Sequence, residues 1–365
     1  MKNNIFDNLF VLELSNNHWG SLERGFKIID DYSKVIRFRG VKAAIKLQFR
    51  QIDTFVHKDF RDVESIRYIK KTLDTELSWK EYESMVHRIS SKGLLTMATP
   101  FDETSVDKCV EFDLDIIKVA SSDIKDWTLL EKIADTRKPV AISTGGSSVE
   151  DIDNVVSFFN KRSIPLAINH CVSLYPSNDS DLELNQIDFF VDRYPNNVIG
   201  FSSHEKNSWD TSMSMSYAKG ARTWERHIDI DYEGVPVSPY CSLPHQIDIW
   251  FKAFLKAREM AGGSSNSRRV ISQEEIDYLN QLVRGVYAKI NIKKGKKITE
   301  DNIYLAIPLF KGQLSSRELM VGMTLKHDVK SDIPIVIDDV EVDGLEASNT
   351  VSEIKNRGIL KDELT

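Results

Sequence analysis

Eight short apolar, β-branched runs, at 9–14, 44–49, 94–98, 116–120, 140–143, 166–169, 198–201 and 221–225, each end in polar side chains. Longer stretches with helical periodicity and charge separate them, among them 62–71, 79–90, 149–159 and 182–192. Strands that alternate with helices in this way are repeated βα units. Eight units predict an α/β fold of the (β/α)₈ TIM-barrel kind in preference to a doubly wound sheet. The eighth run is the least regular, because Arg222 and Glu225 interrupt it.

The 365 residues, 41% of them hydrophobic, suffice for one large and one small domain and are too apolar for a disordered chain. Lys and Arg number 48 against 55 Asp and Glu, a net charge of −7, so no global positive field attracts a phosphate backbone. Nucleic acid is therefore not expected as a partner. Cysteines at 109, 171 and 241 show no paired spacing, which fits a reducing compartment. No run of about 18 apolar residues occurs, so no membrane partner is expected and the reading is cytoplasmic.

The barrel is expected over 1–262, ending in an amphipathic helix near 245–261. The polar stretch GGSSNSRR at 262–269 is entropically unfavourable to order and reads as a linker, taken here as 263–280. A small domain of short strands follows over 281–345. The charged end, 346–365, reads as a mobile tail.

In such barrels the C-terminal strand ends converge on the face where ligand chemistry occurs. Here they carry Glu13, Asn17 and His18; Lys46 and Gln48; Thr99 and Asp102; Lys118 and Ser121; Ser143; Asn169, His170 and Cys171; Ser202 and His204; and Glu225 and His227. Polar groups at nearly every strand end favour an enzyme. His204 and His227, with Glu13 opposite, suit a divalent ion such as Mn²⁺ with open positions, or are simply hydrogen-bonded structural histidines. Lys46 and Lys118, flanked by apolar residues, demand anionic partners. With Ser121, Ser143, Thr144, Ser202 and the Gly145-Gly146 turn they resemble a cradle for phosphate and carboxylate. A Schiff-base lysine and a structural ion pair are the alternatives.

Whole segments carry a further signal: ELSNNHWG at 13–20, IKLQ at 45–48, ATPFD at 98–102, IIKVASSD at 116–123, ISTGG at 142–146, NHCVSLYP at 169–176, GFSSH at 200–204 and ERH at 225–227. In these the chain resembles the sialic acid synthase family, which includes makers of other nonulosonic acids. The segment YAKINIKKG at 287–295, with Val321-Gly322, resembles the antifreeze-like (SAF, β-clip) domain that ends those proteins. The resemblance implies condensation of phosphoenolpyruvate with an aldose, typically an N-acetylated hexosamine, to a 3-deoxy-2-keto acid for a surface glycan. It implies that Lys46, Lys118, Ser121, Ser143, Ser173 and Ser202 hold phosphoenolpyruvate, with Thr99 at its phosphate end. His204 and His227 would hold Mn²⁺ (or Mg²⁺ or Co²⁺), and Glu13, Gln48 and Tyr175 would face the sugar. Glu13 or Asp123, the latter standing where the family usually has glutamate, would stabilise charge at C2 or orient water. A domain-swapped homodimer is implied as well.

The chain departs from the family at three further places. Ser203 stands at a common aspartate; the segment GVPVSPYCSL at 234–243 lacks a sugar-binding aspartate; and Ile307-Pro308 replaces an Arg-Pro pair. The phosphoenolpyruvate half thus reads as intact and the acceptor half as altered, which predicts a modified aldose rather than ordinary N-acetylmannosamine. The alternatives are a pyruvate-dependent aldolase and a non-catalytic sugar-binding component of polysaccharide assembly.

Overall fold

Eight parallel strands close on themselves in sequential order: β1 (Leu9–Ser15), β2 (Lys42–Phe49), β3 (Leu95–Pro100), β4 (Ile116–Val119), β5 (Val140–Ser143), β6 (Leu166–Cys171), β7 (Val198–Ser203) and β8 (Thr223–His227). The protein is seen in a computed structural model that describes residues 4–63, 65–263, 267–318, 322–341 and 349–360. Closure pairs β8 with β1, and the register sets Glu13 beside both Lys46 and His227. Phe10 seals that seam from outside, packing against Trp224 and against Trp250, Phe251 and Phe254 of the helix Pro244–Ala261.

Side chains alternate across a strand, so each β-strand has an inner and an outer row. The outer rows, among them Leu12, Leu47, Ile117, Ile142, Ile168 and Phe201, pack into the main core. The inner rows begin as an apolar floor of Val11, Ala44, Met97, Ile116, Ala141 and Ala167. One step along the same rows come Glu13, Lys46, Thr99, Lys118, Ser143 and Asn169, all buried. This polar layer on an apolar floor positions the site.

Several strands run one or two residues beyond their expected ends. The polar residues that read as loop, such as His170, Ser202, Ser203 and Arg226, still make ladder pairs. Helix starts are capped, with reciprocal Ser78–Glu81 and Ser148–Asp151 boxes. Asp102 is one of these caps, accepting from Ser105 N and Gln51 N.

The chain divides into Met1–Gly262 and Gly263–Thr365. The second unit holds two antiparallel pairs, β9 (Gly285–Ala288) with β10 (Ile303–Ala306) and β11 (Thr324–Leu325) with β12 (Val340–Glu341), around Val286, Leu314, Leu325 and Ile335. Two expectations are corrected here. The stretch read as linker contains a helix, Gln273–Gln281, because Ser272 caps it by accepting from Glu275 N at 3.2 Å. The stretch read as mobile tail supplies the helix Asn349–Asn356, whose Ile354 is fully buried. Arg357 holds that end in place by pairing with Glu318 at 2.9 Å. Val321, 264–266, 346–348 and 361–365 lie outside the described residues. Among the described residues no helix is long and apolar enough to cross a membrane.

Candidate active site

The polar layer contains two buried lysines in opposite electrostatic states. Lys46 forms ion pairs with Glu13 Oε2 and, at 2.9 Å, with Glu225 Oε1. Gln48 Nε2 donates to Glu13 Oε1 at 2.7 Å, and Ser202 Oγ donates to Glu225 Oε1 at 3.3 Å. Burial alone would push the Glu13 carboxyl up, but the Lys46 ammonium and the two hydrogen bonds outweigh it and hold Glu13 below its ordinary value. Burial likewise opposes the charge on Lys46, and the two carboxylates more than restore it. The anionic partner that Lys46 demands is thus already within the protein.

Lys118 has no such partner. Its side chain is 2% exposed, and Nζ donates to Ser143 Oγ at 2.7 Å and to Val119 O at 2.9 Å, with no carboxylate in ion-pair range among the described residues. Burial depresses its ammonium, with Glu225 only partly compensating. Ser121 Oγ accepts from Gly145 N at 3.1 Å and lies 3.8 Å from Cys171 Sγ, which in turn is 3.9 Å from Ser173 Oγ. A Cβ on Gly145 would fall 2.2 Å from Ser173 Oγ and 2.9 Å from Ser121 Oγ, so this cluster of hydroxyls requires glycine there. Thr99 Oγ1 and both polar atoms of the Asn169 side chain are buried without partners. Unsatisfied donors around an unneutralised ammonium make an anion site. Thr144, by contrast, donates to Asn169 O and only braces the turn.

His204 and His227 face each other with ring centroids 5.4 Å apart. His204 Nδ1 lies 2.9 Å from Val172 O. A carbonyl only accepts, so Nδ1 carries the hydrogen; burial opposes charge on the ring, but the Cys171 thiol beside it and the Val172 carbonyl outweigh that and raise His204 above its ordinary value. His227 Nδ1 is buried without a partner. Burial, then the neighbouring His204 and Lys46, hold His227 well below its ordinary value and therefore neutral. The two imidazoles would suit a divalent ion with its other positions left open. Glu13 is not a third ligand: both its oxygens are engaged, and among the described residues no group of three His, Cys, Asp or Glu converges on a metal position. Tyr175, half exposed, packs 4.1 Å from His204, and Tyr240 lies 5.1 Å from His227.

Asp123 follows β4, where burial raises its carboxyl and leaves Oδ2 without a partner. Ser203 and its missing carboxylate are explained outside the barrel wall. The buried Arg226 donates to Ser203 Oγ at 3.0 Å and pairs with Glu205 Oε2 at 3.0 Å, so Glu205 supplies the acid two residues later. His18 is structural: its Nδ1 accepts from Gly20 N, and burial lowers it to about 4.

Glu225, Asn169, Arg50 and Tyr240 belong to the site region without having been assigned from sequence. Glu225 and Asn169 carried a usable signal, since Glu225 shares the inner row with the assigned His227 and Asn169 stands in register beside the assigned Ser143. Tyr240 carried none, because a loop has no such period.

Residues 39–263 match the NeuB family and residues 283–341 the SAF domain. A putative spore coat polysaccharide biosynthesis protein E from Chromobacterium violaceum is 34% identical in sequence and superposes with a TM-score of 0.85, covering 92% of this chain and 99% of that one. The N-acetylneuraminic acid (sialic acid) synthetase of Leptospira borgpetersenii is 28% identical with a TM-score of 0.65, over 77% of this chain and 93% of that one. A pseudaminic acid synthase of Campylobacter jejuni is 26% identical over 331 residues, 88% of this chain and 93% of the relative.

Proposed function

Since the chain belongs to the NeuB family, we propose that it is a nonulosonic acid synthase that condenses phosphoenolpyruvate with an aldose, giving a 3-deoxy-2-keto acid and inorganic phosphate. The observation that carries this reading is the buried, carboxylate-free ammonium of Lys118 set among hydroxyls. That charge is balanced when a small anion enters.

Lys118, Ser143, Ser121 and Ser173 would hold phosphoenolpyruvate, with Thr99 and Asn169 donating from the neighbouring strands. Lys46 contributes mainly by keeping Glu13 and Glu225 ionised. As C3 of phosphoenolpyruvate attacks the aldehyde carbon, the C=C electrons form the new C–C bond and positive charge develops at C2. Glu13 and Glu225 stabilise it, and the unpartnered Oε2 of Glu225 is free to accept from the water that adds there. Asp123, whose burial favours the protonated carboxyl, suits exchange of that proton. The C2–O bond then breaks, and its electrons leave with phosphate. A divalent ion on His204 and His227 would supply Lewis-acid polarisation of the aldehyde oxygen.

The acceptor surface is aromatic, with Tyr175 and Tyr240 beside the histidines. Such faces suit the C–H groups of a sugar ring and support a modified aldose as acceptor. The relatives named for spore coat polysaccharide biosynthesis support a surface glycan as the product's destination.

The test is incubation of the manganese-loaded protein with phosphoenolpyruvate and single aldoses, reading phosphate release and product mass. A mass equal to aldose plus the pyruvate unit supports the synthase. N-Acetylmannosamine as clearly the best acceptor would sink the modified-aldose reading. One observation favours a second reading, because a depressed lysine ammonium is also what imine formation needs. Borohydride trapping of pyruvate on Lys118, without phosphate release, would establish an aldolase instead.

A further inference from the structure

Lys46, Gln48 and Arg50 follow one another on a single face, since side chains two apart along a strand point the same way. Arg50 is the outermost, just past the end of β2. Its Nη2 donates to Gln48 Oε1 at 3.1 Å, and Gln48 passes the link to Glu13. The guanidinium lies over the Phe101 ring at 3.8 Å, with Phe55 at 5.6 Å. Its Nε is buried without a partner, and among the described residues no carboxylate pairs with it.

Each group facing Arg50 fails to neutralise it for a different reason. Glu13 is matched by Lys46. Asp123 attracts the guanidinium but forms no ion pair with it. Burial pushes the Tyr82 phenol up to about 12, so it stays neutral. The aromatic rings compensate a desolvated cation only in part. A planar guanidinium held flat against a ring, with a donor unused, is a preformed receptor for a carboxylate or phosphate.

We infer that Arg50 is a subsite for an anionic substituent, a phosphate ester or a carboxylate, at the end of the acceptor aldose remote from its aldehyde. This rests on the synthase reading above. Arg50 stands past the end of β2, and its hydrogen bond goes to Gln48, the side chain that the family resemblance sets against the sugar, rather than to the hydroxyl cluster around Lys118, so the anion it would take is carried by the second substrate.

Equilibrium titration of the full chain tests this without turnover. The probes are N-acetylmannosamine, its 6-phosphate, N-acetylmannosaminuronate, mannose and mannose 6-phosphate, each with wild type, Arg50→Gln and Arg50→Lys. In wild type an anionic sugar is expected to bind at least tenfold more tightly than its neutral partner. Arg50→Gln should erase that difference, Arg50→Lys should keep part of it, and phosphoenolpyruvate affinity should stay within twofold. A preference for the 6-phosphates alone identifies a phosphate ester, and one for the uronate alone a carboxylate. Equal binding of neutral and anionic sugars by wild type, or no binding of either, overturns the inference. So does a loss of phosphoenolpyruvate affinity in Arg50→Gln. If Arg50→Gln does not fold, the wild-type preference and its reduction in Arg50→Lys decide the matter. Failure of the synthase reading is seen separately, as no phosphate release with any aldose.

Discussion

Lys118 Nζ donates to Ser143 Oγ at 2.7 Å, and among the described residues no carboxylate forms an ion pair with it. A buried cation kept without a counter-ion opposes folding and is retained for binding. Replacing it with an apolar isostere should therefore separate stability from function. Lys118→Met is expected to raise the unfolding free energy of the ligand-free protein by about 1–2 kcal/mol while reducing phosphoenolpyruvate affinity at least a hundredfold. Denaturant unfolding and titration on the same sample check both halves. A destabilised variant that still binds would contradict the assignment.

Lys46 should behave in the opposite way. Its ammonium separates Glu13 from Glu225, so Lys46→Met leaves two buried carboxylates without their shared cation. A loss of about 3–5 kcal/mol is expected. Lowering the pH should restore part of it, because protonating either acid relieves the repulsion. Thermal melts of the variant at neutral and mildly acid pH would show the recovery.

Gly145→Ala should disturb the anion site with little effect on the fold. The added methyl meets the hydroxyls of Ser173 and Ser121 rather than core side chains. The Michaelis constant for phosphoenolpyruvate is expected to rise more than tenfold, with the constant for the aldose changed less than threefold. Equal changes in both would mean that the loop serves the whole site rather than one substrate.

Buried His18 gives the barrel an acid-sensitive point away from the chemistry. Its imidazole titrates near 6.5 when unfolded and is held at about 4 when folded, so the unfolded chain binds the extra proton between those values. Stability is therefore fully present above pH 6.5 and falls as pH drops to about 4, by on the order of 3 kcal/mol. His18→Gln should flatten the profile in that window. A variant as acid-sensitive as wild type would place the effect elsewhere.

The barrel was legible because eight strands and their intervening helices each carry their own period. Their ends were less legible: His170 and Arg226 are polar yet stay in the ladder, and sequence polarity cannot separate a residue facing a polar interior from one in a loop. The same ambiguity left Glu225 and Asn169 noted at strand ends without a role. Tertiary pairing was invisible altogether. Both lysines looked alike in sequence, and only the register that brings Glu13 and Glu225 to Lys46 distinguishes it from Lys118. The helix at Gln273–Gln281 was hidden differently, since its capping Ser272 stands close behind a polar stretch that suggested continuing disorder.

The loop after β8 is fastened at its base. Ser242 N donates to His227 O, Asp229 N donates to Ser242 O, and Arg226 Nε donates to Ser242 Oγ at 2.5 Å. Tyr32 adds a bond to Asp229 O at 2.6 Å from the first helix, Leu22–Arg39. Everything between Ile230 and Cys241 therefore hangs from a closed clasp, and its composition can drift without shifting the imidazole beside it. Such an arrangement is modular: exchanging that insert would alter the acceptor wall that Tyr240 forms while the strand carrying His227 stays in place.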